Sequence, residues 1–212
     1  MPLEGEAARK TYTGHRAIAR GVWIARHEIL GENYIQKTYA PAGREDAIAF
    51  AEPRLLNELD HPYITPLREA QFDPDRPGHV TIVMRFYPGG SVHSAMEAGH
   101  HFSVGTAIGI LKNAAEALAY LHVTKGYVHR DIKPKNLLLD EDRGTGFLAD
   151  FGSAAAIDSQ TGNVAAVRTT ALYQAPEAGR TGRVGPPADV YALGLTAFEL
   201  VNGLFLYSSL DA

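Results

Sequence analysis

One stretch of the chain, residues 127–152 (YVHRDIKPKNLLLDEDRGTGFLADFG), concentrates polar side chains that could do chemistry. Lys133 and Asn136 closely follow Asp131, and Asp150 comes near the end of the stretch. Carboxylate and amide oxygens are ligands that Mg²⁺ prefers, and a positioned carboxylate can accept a proton from a hydroxyl. These residue types therefore predict chemistry on a polyphosphate, its divalent metal and a hydroxyl to be activated.

The residues between the two aspartates predict the element that brings them together. Residues 137–139 and 147–149 are short apolar runs, and residues 140–146 between them form a polar turn with two glycines. This pattern predicts a hairpin that returns Asp150 to the side of Asp131.

Hydrophobic periodicity elsewhere predicts a small sheet followed by long helices. The predicted strands are residues 21–26, 33–39 and 80–86, and the predicted helices lie within residues 45–60, 102–122 and 189–202. The helix within 102–122 is predicted to bury a face formed by Ile108, Leu111, Ala115 and Leu118, with Ser103 as its N-cap.

The composition excludes several classes of function. The chain has 212 residues, 45% of them hydrophobic, with a net charge of −4 and no cysteine. It therefore has no disulfide, thiolate metal site or thiol nucleophile, and no global basic field for nucleic acid or a membrane. The N-terminus lacks a signal-peptide pattern, and the apolar stretch 190–210 is interrupted by Glu199, which favours a core helix over a membrane span. We expect a cytoplasmic, soluble protein.

Four motifs of the chain match, in order and spacing, those of the eukaryotic-type (Hanks-type) serine/threonine protein kinases. They are His129-Arg130-Asp131, Lys133, Asn136 and Asp150-Phe151-Gly152. The chain resembles this family over residues 17–206. The resemblance implies an α+β, bilobal protein-kinase-like fold. Its N-lobe would be a small antiparallel sheet with one helix, and its mainly helical C-lobe would lack its last helices. The implied organisation is an N-terminal extension (1–16), an N-lobe with hinge (17–87) and an incomplete C-lobe (88–212).

The resemblance assigns roles to polar residues within and beyond residues 127–152. Asp131 would accept the proton of the substrate hydroxyl, Lys133 would neutralise charge on the transferred phosphoryl group, and Thr170 would hydrogen-bond both. Asn136 and Asp150 would hold Mg²⁺. The resemblance also implies a buried aspartate that supports this loop from the following helix, and Asp189 is the match.

A second set of residues is implied to bind ATP. Lys37 would bind phosphate oxygens with Glu52 as its partner, Met84 would stand at the back of the adenine pocket, and Ser91 would meet the ribose. The full set is Gly21, Val22, Ile35, Lys37, Glu52, Met84, Arg85, Phe86, Tyr87, Ser91 and Leu138.

Residues 150–177, called here the activation segment, resemble the segment of that name in the kinase family. By resemblance, Arg130 would gain by pairing with a phosphate on this segment. Ser159, Thr161 and Thr169 are candidate acceptors, although each is equally well explained as an ordinary polar loop residue.

Two departures from the family pattern concern the cover over ATP. Arg16 and Ile18 stand where two glycines of the glycine-rich loop are expected, which predicts a looser or differently shaped cover. Ile35 replaces a small residue above the adenine ring, and its bulk narrows the slot.

Two further departures concern support of the site. Pro53 directly follows Glu52, so we expect the helix to be kinked there or to start near Pro53 as its first-turn residue, which leaves open whether Glu52 reaches Lys37. The sequence also stops soon after the Asp189 helix, which predicts a truncated C-lobe with an exposed apolar patch and a partner chain as one candidate cover.

These observations lead to a first hypothesis and two alternatives. The first is a non-specific serine/threonine protein kinase that uses ATP and Mg²⁺ to phosphorylate hydroxyls of protein substrates. The second is a kinase-fold pseudoenzyme that acts as a nucleotide- or protein-binding regulatory module. A third, a small-molecule phosphotransferase, is disfavoured by Lys133, Thr170 and the Ala175-Pro176-Glu177 motif.

Overall fold

A computed structural model describes residues 11–39, 50–73, 76, 78–167 and 171–206 of the chain. The chain divides into two compact units. The first comprises Met1–Asn57 with Pro66–Phe86, and the second comprises Glu58–Thr65 with Tyr87–Ala212.

The first unit is built on a five-stranded antiparallel sheet with the strand order β1-β2-β3-β5-β4. Its strands are β1 (Tyr12–Ala19), β2 (Val22–His27), β3 (Asn33–Tyr39), β4 (Leu67–Phe72) and β5 (Val80–Arg85). The three strands predicted from hydrophobic patterning correspond to β2, β3 and β5. Sequence analysis missed β4, and it missed β1, whose first residues lie in the predicted N-terminal extension. Only Tyr12 of β1 is buried, so this strand has no alternation of buried and exposed residues.

The two faces of this sheet differ in burial. Ala25, Tyr34 and Gln36 are buried on one face, whereas the intervening Ile35 and Lys37 are half-buried on the other. Because successive residues of a strand point to opposite faces, the half-buried face collects the side chains for which nucleotide binding was expected.

One helix of the first unit, α1 (Ala51–Glu58), buries Glu52, Pro53, Leu55 and Leu56. Pro53 is the third residue of this helix and therefore lies in its first turn, where its missing N–H breaks no helical hydrogen bond. The part of the predicted helix before residue 50 lies outside the described residues.

The second unit is mainly helical. Its α-helices are α2 (Val92–Glu97), α3 (Val104–Ala119), α4 (Pro176–Thr181) and α5 (Pro186–Asn202). Short pairs of strands join them: β6 (Tyr127–Val128) with β9 (Ala155–Ala156), β7 (Leu137–Leu139) with β8 (Gly146–Leu148), and β10 (Val164–Ala165) with β11 (Arg183–Val184).

The predicted buried face of α3 is correct at Leu118, which is buried, and wrong at Ile108 and Ala115. Ile108 is 59% exposed and Ala115 is exposed, whereas Ala107, Ile110 and Ala114 are buried. The buried side of the helix combines alanines with Ile110 and Leu118, and the helix packs against β8 and α5. Ser103 caps the helix as predicted, its hydroxyl accepting a hydrogen bond from the Thr106 amide at 3.1 Å.

The closest approach between α3 and the β7–β8 hairpin is at Gly146. A Cβ atom at this position would lie 2.8 Å from Ile110 Cγ2 and 3.1 Å from the Ile110 carbonyl oxygen. Because real side chains do not tolerate such distances, glycine is required here for the hairpin to rest on α3.

Helix α5 begins at two prolines and ends at Gly203, which adopts the left-handed conformation expected of a helix terminator. Its solvent-facing side carries Val190, Tyr191, Phe198 and Val201, each at least 41% exposed. The apolar surface predicted near the end of the sequence is therefore present on described residues. Among those residues, no helix combines the length and hydropathy that crossing a membrane requires.

Candidate functional site

Within residues 127–152, the β7–β8 hairpin returns the chain to the side of Asn136 just before Asp150, as predicted. Leu137 pairs with Leu148, and beyond this pair the Ala149 amide donates to the Asn136 carbonyl oxygen at 3.0 Å. Asp150 directly follows Ala149, the residue that is hydrogen-bonded to Asn136. The side chains of Leu137, Leu139 and Leu148 are fully buried, so the hairpin is a rigid support.

Asp131, Lys133 and Asn136 form one hydrogen-bonded cluster. The Lys133 ammonium donates to Asp131 Oδ2 at 2.8 Å, and the Asn136 amide nitrogen donates to the same oxygen at 3.0 Å. Asn136 also donates to the Asp131 main-chain oxygen at 2.7 Å. Asp131 and Lys133 side chains are only 10% and 17% exposed. The cluster thus fixes one carboxylate next to one cation in a partly desolvated position, where charge interactions are stronger than in water.

Asp189, at the start of α5, holds the backbone of this loop from below. Its carboxylate accepts hydrogen bonds from the His129 and Arg130 amides, both at 2.8 Å. The side chain is 1% exposed, so the prediction that Asp189 satisfies otherwise buried loop N–H groups is confirmed. Arg130 has a φ of 69°, a strained value for a residue with a side chain, and the Asp189 bonds compensate for it.

His122 is a functional contact that sequence analysis missed. Its Nε2 atom lies 2.7 Å from Asp189 Oδ2. A π-helical turn, Tyr120–Lys125, continues α3 and sets this side chain toward α5. A single histidine near the end of an apolar helix carries no spacing signal, so nothing in the sequence pointed to this contact.

His129 supports the loop as a neutral ring. Its ring stacks edge-on against Phe151 at 4.9 Å, Nε2 lies 3.2 Å from the Ala149 carbonyl oxygen, and Nδ1 accepts from the Asp131 amide at 3.3 Å. Complete burial lowers the pKa of His129, although the carboxylates of Asp189, Asp150 and Asp131 act in the opposite direction. A neutral ring that donates from Nε2 and accepts at Nδ1 satisfies both bonds, which agrees with a packing role rather than acid–base catalysis.

Asn136 and Asp150 fit the requirements of a hard divalent cation. The Asn136 nitrogen is committed to Asp131, which leaves its side-chain oxygen as the atom available for a metal. Asp150 adopts a left-handed conformation (φ 63°) immediately after the hairpin, and it is exposed. No cluster of three or more histidine, aspartate or glutamate side chains suitable for a metal occurs in the described part of the chain. The two oxygen donors therefore suit Mg²⁺ that is shared with phosphate oxygens and water.

Lys37 and Glu52 form an ion pair within the first unit. The Lys37 ammonium lies 2.9 Å from Glu52 Oε1 and 3.0 Å from Oε2, and the Glu52 side chain is 8% exposed. The helix starts near Pro53, which is one of the two predicted alternatives, and Glu52 reaches Lys37, which the sequence left open. The physical reason is that Pro53 is tolerated in the first turn of α1 without a kink, so Glu52 keeps a helical position that faces β3.

The pairing register places the expected cover residues on one sheet face. Val22 pairs with Lys37, and Ile24 pairs with Ile35, so the four side chains share the half-buried face. Sequence analysis named three of them and missed Ile24, because only register reveals which residue of β2 stands opposite Ile35. Gly21 has a φ of 74°, and a Cβ there would lie 2.7 Å from the Thr38 carbonyl oxygen, so glycine is required at this turn.

The remaining residues that were predicted to bind ATP belong to β5 and the residue after it, or to the second unit. Met84 is 9% exposed and pairs with Ile35, and Arg85 ends β5, followed by Phe86. In the second unit, the Tyr87 ring lies 4.4 Å from that of Phe147.

Ser91 and Leu138 also belong to the second unit. The Ser91 hydroxyl caps α2 by accepting from the Ser94 amide at 3.0 Å, and Ser91 pairs with Leu138, which is half-buried between two buried leucines of β7. Thr170 and Thr169 lie outside the described residues. The ATP contacts and the role of Thr170 stay predictions.

Comparison with known proteins agrees with this geometry. The family model described as "Protein kinase domain" matches residues 21–211. The chain is 36% identical over 195 residues to the serine/threonine-protein kinase PknJ of Mycobacterium tuberculosis, covering 86% of this chain and 31% of that protein. It is 33% identical over 187 residues to a Caenorhabditis elegans protein named "cAMP-dependent protein kinase, catalytic subunit-like", covering 86% of this chain and 45% of that protein. The chain thus spans less than half the length of these curated relatives.

Proposed function

The chain belongs to the protein kinase family, and from that premise we propose that it transfers the γ-phosphoryl group of ATP to serine or threonine hydroxyls of protein substrates. The observation that carries the proposal is the Asp131–Lys133–Asn136 cluster, in which a carboxylate, a cation and a metal-binding amide are fixed by mutual hydrogen bonds. Catalysis of phosphoryl transfer depends mainly on such positioning and on charge stabilisation.

In the proposed reaction, the Asp131 carboxylate orients the substrate hydroxyl and takes up its proton. The hydroxyl oxygen forms a bond to the γ-phosphorus, while the bond between that phosphorus and the departing ADP oxygen breaks. The Lys133 ammonium, which is held 2.8 Å from Asp131 Oδ2, neutralises charge on the transferred group.

Residues that would bind the nucleotide are proposed in each unit separately. Lys37, oriented by Glu52, offers a positive charge to phosphate oxygens. Mg²⁺ would be held by the Asn136 side-chain oxygen and Asp150, where it would neutralise phosphate charge. Val22, Ile24 and Ile35 supply apolar surface for the adenine ring on the same sheet face as Lys37.

Serine/threonine preference rests on two supports. Lys133 stands at the offset typical of serine/threonine kinases, and the mycobacterial relative carries that activity in its name. Thr170 would add a hydrogen bond to Asp131 and Lys133 in such an enzyme.

The second candidate, a regulatory module without turnover, is favoured by the cover over the nucleotide. Arg16 pairs with Ile24 and replaces a glycine, and Ile35 carries more bulk than the expected small residue. A module of this kind would bind nucleotide or protein through the same residues without transferring phosphate.

The test is transfer of labelled phosphate from ATP and Mg²⁺ to a generic basic protein, followed by identification of the phosphorylated amino acid. We expect phosphoserine or phosphothreonine, and loss of about 10²–10⁴-fold in rate for Asp131→Asn, as for removal of a catalytic base. Asp142→Asn is the matched control because Asp142 is exposed in the hairpin turn. Nucleotide-dependent thermal stabilisation without any transfer would instead support the regulatory module.

A further inference from the structure

The first unit contains a cavity that the proposed function does not use. Its volume is about 510 Å³, and the residues that line it all belong to this unit. They lie at or next to the ends of three strands: residues 32–34 where β3 begins, residues 66–68 where β4 begins, and residues 85–86 where β5 ends. Binding sites for small molecules have volumes of about 300–1,000 Å³. The cavity is therefore large enough for a small organic ligand.

This cavity is on the opposite face of the sheet from the residues proposed to bind nucleotide. Tyr34 and Arg85, which both line it, pair directly across β3 and β5, so their side chains share one face. Ile35 is the next residue along β3 and belongs to the other face, together with Lys37. A ligand held between Tyr34 and Arg85 would therefore leave the proposed nucleotide face unoccupied.

A β-bulge in β4 adds a second arginine to the lining. Leu67 pairs with Met84 and Glu69 pairs with Val83, so two residues of β4 advance against one of β5 and Arg68 is the extra residue. A bulge changes the direction of the side chain that it carries, and bulges are frequent beside functional sites. Arg68 is exposed and lines the cavity.

The carboxylates near Arg68 are engaged by tyrosine hydroxyls. Tyr34 donates to Glu32 Oε2 at 2.8 Å, and Tyr12 donates to Glu69 Oε2 at 3.2 Å. The bond to Glu32 raises the pKa of Tyr34, and the positive charge of Arg68 acts in the opposite direction, which agrees with Arg68 lying on the face of Tyr34. Among the residues that the structure describes, none forms a hydrogen bond or ion pair with the Arg68 side chain.

The chemistry of the lining indicates the class of ligand. Arg68 and Arg85 outnumber Glu32, so the lining carries a net positive charge. A guanidinium offers a planar set of N–H donors that matches the oxygens of a carboxylate or phosphate. Pro66 and Phe86 add apolar surface to the same cavity. A ligand that combines an anionic group with a hydrocarbon body would satisfy both kinds of surface.

We propose that this cavity is a binding site for a small organic anion, whose phosphate or carboxylate is bound by the Arg68 and Arg85 guanidinium groups while its hydrocarbon body contacts Pro66 and Phe86. The site is separate from the one proposed for ATP. It does not depend on phosphoryl transfer, so a chain without kinase activity would have it as well.

The experiment titrates phenyl phosphate into the full chain and follows the backbone amide signals by NMR. We expect saturable shifts at the amides of Asn33, Tyr34, Arg68 and Phe86, with a Kd of about 1 mM or tighter. These shifts should persist when ATP and Mg²⁺ are added. Their loss on addition of ATP, or their absence from the lining residues, would overturn the inference.

Three further probes separate the parts of the proposed ligand. Phenylacetate carries a carboxylate in place of the phosphate and should bind at the same amides. Benzyl alcohol lacks the charge and inorganic phosphate lacks the hydrocarbon body, so each should bind at least about tenfold more weakly than phenyl phosphate. Equal binding of benzyl alcohol would overturn the role of the arginines, and equal binding of inorganic phosphate would overturn the role of the apolar lining.

Arg68→Gln tests the bulged arginine, and Arg54→Gln is the matched control because Arg54 is exposed on α1 and does not line the cavity. Arg68→Gln should raise the Kd for phenyl phosphate about tenfold, whereas Arg54→Gln should leave it unchanged. Arg85→Gln is a second variant with the same expected loss. Circular dichroism and thermal unfolding establish that each variant is folded. Wild-type affinity in folded Arg68→Gln and Arg85→Gln chains would show that the two arginines do not bind the anion.

Discussion

Function was expected for two regions: residues 129–136, called here the catalytic loop for their proposed role, and the β1–β2 hairpin. The two regions differ in how many contacts constrain them. The side chains of Asp131 and Asn136 in the loop, and of Asp189, which binds the loop from α5, each accept or donate at least two hydrogen bonds. In β1, all residues after Tyr12 are exposed, and two irregularities interrupt its pairing with β2. Residues that are bound on several sides tolerate little change, whereas an exposed strand held mainly by main-chain bonds constrains its side chains less.

Among the substitutions that test this difference in constraint, the largest effect on the free energy of unfolding is expected at Asp189. Asp189→Asn removes a charge and places an N–H₂ group against amides that need an acceptor. We expect the free energy of unfolding to fall by about 2–5 kcal/mol, measured by urea denaturation. The exposed control Asp142→Asn should change it by less than about 0.5 kcal/mol. Equal effects in both variants would show that the loop is no more constrained than the surface.

The ion pair in the first unit should affect binding more than folding. For Glu52→Gln we expect the Kd for ATP to rise about tenfold because Lys37 loses its orienting partner. The free energy of unfolding should change by about 1 kcal/mol or less, since Lys37 is partly solvated. Titration calorimetry and urea denaturation measure the two quantities, and Glu58→Gln, exposed on the same helix, is the control. Unchanged ATP affinity would remove Lys37–Glu52 from the nucleotide site.

Acid should weaken the catalytic loop through His129. Burial holds the pKa of His129 below its usual value, so between the two values the unfolded chain binds a proton that the folded chain does not. Stability from this residue is therefore complete above about pH 6.5 and decreases as the pH falls, by at most about 1.4 kcal/mol per pH unit.

Urea denaturation at several pH values tests this sign. The decrease below about pH 6.5 should be smaller in His129→Gln, because the glutamine side chain does not titrate. A His129→Gln chain with the full acid dependence of the wild type would assign it to other groups; burial also lowers the pKa values of His61 and His93.

The smallest effect is expected at the cover over the nucleotide. Ile35→Ala widens the half-buried face of β3, and we expect the Kd for ATP to fall about threefold. Ile29→Ala, at a side chain that is 87% exposed, is the control. Weaker ATP binding in Ile35→Ala would show that Ile35 contributes favourable contact and is part of a well-fitted slot.

The same difference in constraint explains what could be predicted from sequence. The β7–β8 hairpin and the Asp189 support were predicted because short motifs with fixed spacing specify them. Pro53 predicted the start of α1, and the resemblance named Glu52 as the partner of Lys37. The sequence left open whether the two side chains meet, because that depends on how the helix lies against β3. Local backbone rules predict where a helix begins. They do not predict which residue the long side chain of Glu52 contacts.

Packing decided the remaining errors. The buried face predicted for α3 contained Leu118, which is buried, but Ile108 and Ala115 are exposed, whereas Ala107, Ile110 and Ala114 are buried. Both overlapping faces carry apolar residues, so periodicity alone did not decide between them. β1 was missed because an exposed strand has no alternating pattern. Ile24 was missed because its place opposite Ile35 follows from strand register. His122 was missed because its contact with Asp189 joins elements that are distant in sequence.

The tight fit of Gly146 against Ile110 has a consequence for how this protein can evolve. A methyl group at position 146 would overlap both the side chain and the main chain of Ile110, so shortening residue 110 alone relieves only part of the overlap. We expect a library of random substitutions selected for folding to retain glycine at 146, although this residue carries no chemical group. Genome searches for chains with the same catalytic arrangement would gain selectivity by requiring this glycine together with the charged motifs.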